Sequence, residues 1–112
     1  MNSAGNGYSM SSVNTYKEQE IGTASPEKCV LHLYDAAIQS CAVGQQERAG
    51  RAVAALIDAL DFEVGGEVAG GLFRLYEYCL RNIHEKKYDD SQKILKELRD
   101  TWQMAIVQHH AA

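Results

Sequence analysis

The stretch SPEKCVLHLYDAAIQSCAVG, residues 25–44, contains the signals of one complete amphipathic helix. Ser25 is a favourable N-cap, Pro26 suits the first helical position, and Gly44 provides a stop. The apolar residues between them recur at the spacing of a single helical face, at Val30, Leu33, Tyr34, Ala37 and Cys41. The sequence therefore predicts a helix that starts after Ser25, ends at Gly44, and buries this face against other elements.

Three further segments show the same periodicity. A second helix is predicted from Gln45 to Phe62 and a stop at Gly65-Gly66, a third helix opens at Glu67, and Asp89 or Asp90 caps a fourth. Their inward stripes comprise Val53, Leu56, Ile57 and Leu60, then Val68, Leu72, Leu75, Tyr76, Cys79, Leu80 and Ile83, then Ile94, Leu95, Leu98, Trp102, Ala105 and Ile106. Short connections favour antiparallel neighbours. The sequence thus predicts an all-α, antiparallel up-down-up-down four-helix bundle over residues 25–108, built from helices of about 18 to 20 residues.

The two ends of the chain have a different character. Residues 1–24 contain Gly, Ser and Asn with isolated apolar side chains, which is typical of a mobile N-terminal arm rather than of a core element. Residues 109–112 are predicted to be a disordered tail. A chain of 112 residues forms one domain with one modest core.

Composition and charge exclude several classes of protein. A net charge of −4 has the wrong sign for a protein that relies on phosphate contacts, so nucleic acid is not an expected partner. No apolar run reaches the length of a membrane span, and the N-terminus does not resemble a signal peptide, so membrane insertion is not expected. Three cysteines without CxxC spacing are expected to be buried free thiols. These features predict a cytoplasmic protein.

Candidate catalytic and cofactor-binding motifs are weak. The glycine pairs at 65–66 and 70–71 imitate the gap of a phosphate loop, but the expected lysine is Leu72 and the expected Ser or Thr is Phe73. His32 and Asp35 lie three residues apart, yet two ligands do not make a metal site. Buried cysteines on apolar helices behave as small hydrophobes. We therefore expect no catalytic residue, no metal and no cofactor, and the chain is not predicted to be an enzyme.

A surplus of amphipathic tyrosines remains. Tyr8 and Tyr16 lie on the polar arm, whereas Tyr34, Tyr76 and Tyr78 lie on predicted helices. Tyrosine combines an apolar body with a polar tip and suits interfaces. The alternative is that Tyr34 and Tyr76 belong to the core and Tyr8 has no role. The residues alone thus indicate a helical bundle with a surface suited to binding a helix in a groove.

Three stretches together resemble the flagellar export chaperone family, FliS. They are TASPEKCVLHLYDAAI (residues 23–38), LDFEVGGEVAGGLFRLYEY (residues 60–78) and LRDTW (residues 98–102). The resemblance implies a cytoplasmic binding protein that holds the C-terminal segment of flagellin in a hydrophobic groove. It also implies that the protein prevents premature flagellin polymerisation and assists type III export, with the flagellar export gate as a further partner.

The resemblance also implies which residues contact the partner. In that family the N-terminal segment of the chaperone can occupy part of the groove, and Tyr16 matches the tyrosine of that segment. The positions implied for partner binding are Tyr8, Tyr16, Ile21, Leu33, Tyr34, Leu72, Leu75 and Tyr76. Some of these side chains are expected to belong to the core rather than to the groove.

Two departures from the family pattern are visible. Between Tyr34 and Leu60 the chain lacks roughly three to four helical turns, which predicts a shortened first helical hairpin. Gly70 and Gly71 replace a helix former and an Asn, and each glycine in a helix costs ~1 kcal/mol relative to Ala. The alternative function is a helical scaffold or diverged relative that binds another protein or itself.

Overall fold

The computed structural model describes residues 25–111, and the surroundings of their side chains as far as Val107. This part of the chain folds into four helices, α1 (Pro26–Ala42), α2 (Gln46–Asp58), α3 (Phe62–His84) and α4 (Tyr88–Ala111). The first helix packs against α2 and α4, and α3 packs against the same two helices. The helices therefore form a closed ring, which confirms the predicted all-α four-helix bundle. The predicted arm, residues 1–24, lies outside the described residues.

Both predicted ends of the first helix are confirmed by its capping contacts. The Ser25 hydroxyl accepts a hydrogen bond from the Lys28 amide at 3.3 Å, and Pro26 begins the helix. At the other end Gly44 adopts a φ of 72°, which is strained for residues with a side chain. The Gly44 amide donates to the Cys41 carbonyl and the Gln45 amide to the Ser40 carbonyl. This pair of bonds is a Schellman motif, and it satisfies carbonyls that the helix end leaves without partners.

The boundary between the second and third helices was predicted wrongly. The second helix ends at Asp58 rather than at Phe62, and α3 already begins at Phe62. The cause is Asp61, whose carboxylate accepts hydrogen bonds from the Glu63 and Val64 amides, both at 3.1 Å, and so caps a new helix. The predicted glycine stop is present as an interruption inside α3, where Gly66 has a φ of 53°.

The helix lengths and the start of α4 also differ from prediction. The first two helices have 17 and 13 residues, whereas α3 and α4 have 23 and 24, so the four are not matched. Asp89 and Asp90 lie in the first turn of α4 rather than at its cap, because the helix already begins at Tyr88. Negative charges in a first turn still stabilise the positive end of the helix dipole. The structure continues α4 to Ala111, beyond the expected end near residue 108.

The core contains most of the predicted inward positions. All five apolar residues of the α1 stripe are buried, as are Val53, Leu56, Tyr76, Cys79, Ile83, Leu95 and Trp102. Val68 and Leu75, which were predicted to face inward on α3, are exposed instead. Their apolar stripe is wider than the surface that α2 and α4 cover. Part of the stripe is therefore left on the surface next to α4.

Gly70, in the interior of α3, and Gly66, at a positive φ, allow a matched test of thermal stability. Gly70→Ala is expected to raise the unfolding midpoint by several degrees, since a helix-interior glycine costs ~1 kcal/mol and a Cβ there would meet only the end of the Arg74 side chain, at 3.8 Å. Gly66→Ala is expected to lower the midpoint, because its φ of 53° and ψ of −125° lie in a region that glycine adopts far more readily than other residues, so a Cβ is strained by ~1–3 kcal/mol despite open space around it. Thermal unfolding followed by circular dichroism measures both. A lower midpoint for Gly70→Ala would contradict the expectation.

Candidate functional site

An apolar groove lies between α3 and α4, with α1 beneath it. Its cavity of about 160 Å³ is lined by Tyr34, Val68, Leu72, Leu98, Thr101, Trp102 and Ala105. We call this set the apolar groove. Three helices contribute to it, so it exists only in the assembled bundle. Its walls are almost wholly hydrocarbon and aromatic, which suits contact with an apolar segment of another protein.

The floor of the apolar groove is held by two hydrogen bonds, one buried and one partly buried. The hydroxyls of Tyr34 on α1 and Tyr76 on α3 lie 2.5 Å apart, and the ring centroids are separated by 6.3 Å. Trp102 is buried on α4, and its indole N–H donates to the Glu27 carbonyl on the first turn of α1 at 2.9 Å. These bonds connect all three helices of the groove, so its floor is fixed by the fold.

A second cavity adjoins the groove on the surface of α4. It measures about 310 Å³ and is lined by Asp100, Thr101, Met104 and Ala105. We call it the Met104 cavity. It shares Thr101 and Ala105 with the apolar groove, and Met104 is 62% exposed. The two cavities therefore form one continuous surface along the C-terminal half of α4.

An ion pair marks the edge of this surface. The Arg99 guanidinium donates to Asp35 on α1 at 2.9 Å and to Asp100 at 3.4 Å. The hydrogen bond to Asp35 is the main cause of the raised pKa of Arg99. Asp35, which the sequence offered as half of a metal pair with His32, thus pairs with an arginine instead.

The predicted binding residues fall into four groups. Tyr34 and Leu72 line the apolar groove together. Leu33 and Tyr76 are buried in the core, and Leu75 is 39% exposed but does not line the groove. Tyr8, Tyr16 and Ile21 lie outside the described residues.

Several residues of the site were not predicted to bind a partner. Val68, Leu98, Trp102 and Ala105 were assigned to inward faces, and Thr101 and Met104 were not singled out. Their helical spacing correctly placed the first four on apolar stripes. Periodicity does not report whether a neighbouring helix covers such a stripe, so the sequence held no signal that distinguished groove from core here.

The cysteines and the possible metal ligands gain no support as functional groups from the described residues. Burial raises the pKa of the Cys79 thiol to about 11 and raises that of Cys41 as well, so both thiols stay protonated near neutral pH. A buried neutral thiol is a poor nucleophile. Within the part of the chain that the structure describes, no three His, Cys, Asp or Glu side chains come together as metal ligands. Across the same residues, no helix combines the length and apolar character that a membrane span requires.

The family model and the two curated relatives that match this chain agree on one family. The family described as "Flagellar protein FliS" matches residues 9–109 of the chain. The flagellar secretion chaperone FliSB of Pseudomonas aeruginosa is 29% identical over 109 residues, covering 81% of this chain and 86% of the relative. The flagellar secretion chaperone FliS of Vibrio cholerae serotype O1 is 26% identical over 124 residues, covering 88% and 91%. Among the solved structures none matches.

Proposed function

Because the chain belongs to the FliS family, we propose that it is a flagellar secretion chaperone that holds the C-terminal segment of flagellin against its apolar groove. Bound there, the segment is kept from polymerising in the cytoplasm and is delivered to the type III export machinery. The protein acts as a binding partner and not as an enzyme, and it needs no cofactor. The observation that carries the proposal is the apolar groove itself, with exposed Val68 at its edge and the buried Tyr34 and Trp102 as its floor.

The groove has the properties that this task requires. A segment that is unfolded before binding has to bury apolar surface to offset the entropy lost on ordering. The apolar groove and the Met104 cavity provide such surface along adjacent turns of α4. The floor is held by hydrogen bonds within the bundle, so little reorganisation of the chaperone is needed. Preorganisation of this kind lowers the cost of binding.

The shortened hairpin bears on affinity. The alignment with the Pseudomonas relative runs over 109 positions but contains only 81% of the 112 residues of this chain, so part of that relative has no counterpart here. The short α1 and α2 agree with a loss from this hairpin. Interfaces concentrate their energy in a few anchors, and losing turns removes anchor positions. We therefore expect weaker flagellin binding than in a relative with a full-length hairpin.

Calorimetric titration with a flagellin C-terminal peptide tests the proposal. Saturable binding at micromolar peptide supports it, and titration of the Vibrio cholerae relative in parallel tests the difference in affinity. An absence of heat and of competition at high micromolar peptide, with the helical spectrum intact, would leave the helical scaffold as the function.

The N-terminal arm is expected to compete with the partner. Deleting residues 1–20, which include Tyr8 and Tyr16, should strengthen binding of the flagellin peptide and leave helicity unchanged. The reason is that an arm covering the groove lowers apparent affinity in proportion to the uncovered fraction. Titration of both chains by calorimetry measures the change. Weaker binding after the deletion would instead make the arm a part of the binding surface.

A further inference from the structure

The polar atoms that line the apolar groove are already engaged. The Tyr34 hydroxyl contacts Tyr76, the Trp102 indole N–H donates to the Glu27 carbonyl, and the Thr101 hydroxyl donates to the Glu97 carbonyl at 3.0 Å. A polar ligand side chain would therefore gain little here and would lose its hydration. The cavity of about 160 Å³ is close to the ~150 Å³ of an engineered apolar cavity that binds benzene. It is thus suited to one large apolar side chain.

The Met104 cavity has a different character. Among the described residues that line it, only Asp100 is charged, while Met104 and Ala105 offer apolar surface. The Arg99 guanidinium is shared between Asp35 and Asp100, so Asp100 does not hold this cation alone. The Asp100 side chain is 63% exposed and can accept a second cation. A Lys or Arg suits such a cavity because its stem covers apolar surface while its head remains at the carboxylate.

The spacing of the two cavities limits the spacing of the two ligand groups. Both cavities include Thr101 and Ala105, which lie one helical turn apart on α4. Side chains that reach adjoining cavities must be neighbours on the ligand, and neighbours on a helix are three or four residues apart. We propose that the site selects a helical segment with a large apolar anchor and, three or four residues away, a Lys or Arg that pairs with Asp100. This proposal rests on the proposed function, because it specifies the segment that the same groove takes.

The chain offers a closely matched pair of variants for the test. Asp100 and Glu85 are both exposed carboxylates, with side chains 63% and 60% exposed, and each has one cation at 3.4 Å, from Arg99 and Lys87. Asp100→Asn and Glu85→Gln therefore remove the same charge and a similar ion pair. Only Asp100 lines the Met104 cavity. Glu85 caps the end of α3 instead.

The measurement is a double-mutant cycle at low salt. The ligands are the flagellin C-terminal peptide and a copy in which Gln replaces each Lys and Arg. Asp100→Asn is expected to weaken binding of the first peptide about two- to fivefold, as exposed ion pairs do, and to leave binding of the second unchanged. Glu85→Gln should change neither, and added salt should reduce the effect.

The outcomes separate this proposal from the proposed function. If the unaltered protein binds the peptide, but Asp100→Asn affects both peptides equally or neither, the cation subsite is overturned and the chaperone function stands. If Glu85→Gln has the same effect as Asp100→Asn, the charge acts at long range and the subsite is also overturned. If the unaltered protein binds neither peptide, the proposed function fails and this proposal fails with it.

Discussion

Replacing Val68 by Glu is expected to weaken binding of the flagellin C-terminal peptide by about 30-fold, the equivalent of the ~2 kcal/mol of a residue that dominates an interface. Val68 lines the apolar groove and is 55% exposed, so it is available to a partner without being needed by the core. A carboxylate at this position would have to be desolvated against an apolar ligand side chain. Isothermal calorimetry of the variant and the unaltered protein measures the loss.

Val43→Glu is the matched control for this prediction. Val43 is 57% exposed, but it follows the C-terminal end of α1 and does not line the groove. The two variants introduce the same charge in place of the same side chain. Binding should therefore be retained in Val43→Glu, and circular dichroism should show both bundles intact. Equal loss in the two variants would mean that charge, rather than the groove, governs binding.

Trp102→Ala is expected to destabilise the bundle by ~3–5 kcal/mol, the range for removing a large buried aromatic side chain. Trp102 is buried, and it connects the C-terminal half of α4 to the first turn of α1 through its bond to the Glu27 carbonyl. The variant loses this packing and this bond together. Since a small domain is stable by only ~5–15 kcal/mol, a large part of the total stability is removed. Urea unfolding followed by circular dichroism gives the difference in free energy.

Two further variants show which contact of Trp102 accounts for the lost stability. Met104→Ala lies two residues away on the exposed side of α4 and should change stability by less than ~0.5 kcal/mol. Trp102→Phe keeps most of the buried aromatic surface but cannot donate to the Glu27 carbonyl. Its loss of unfolding free energy should therefore lie between those of Met104→Ala and Trp102→Ala. A loss in Trp102→Ala no larger than in Met104→Ala would show that α4 is held to α1 by other contacts.

The first helix shows how much local sequence can specify. Ser25, Pro26 and Gly44 act through the backbone of their own neighbours, and the helix begins and ends where these residues predicted. The boundary between α2 and α3 was predicted wrongly, although it too depends on a local capping contact. Asp61 has a side chain as suited to capping as Ser25, and its bonds to the Glu63 and Val64 amides start α3 before the glycine pair. The prediction had continued the second helix past Asp61 to Phe62 and so missed this cap.

The four amphipathic helices and the all-α bundle could be predicted from the residues alone, because caps and 3.6-residue periodicity depend only on residues a few positions apart. The family was implied separately, by the resemblance of three stretches of the chain to FliS. The resemblance to FliS also implied Tyr34 and Leu72 as partner-binding positions, and both residues line the apolar groove. Which apolar residues are core and which form the groove depends on the packing of the four helices and could not be predicted from the sequence. The exposure of a side chain depends on how much of its apolar stripe a neighbouring helix covers. That coverage is set by packing between residues far apart in the chain. Tyr76 is therefore buried against Tyr34, whereas Val68, on the same helix, lies open at the edge of the groove.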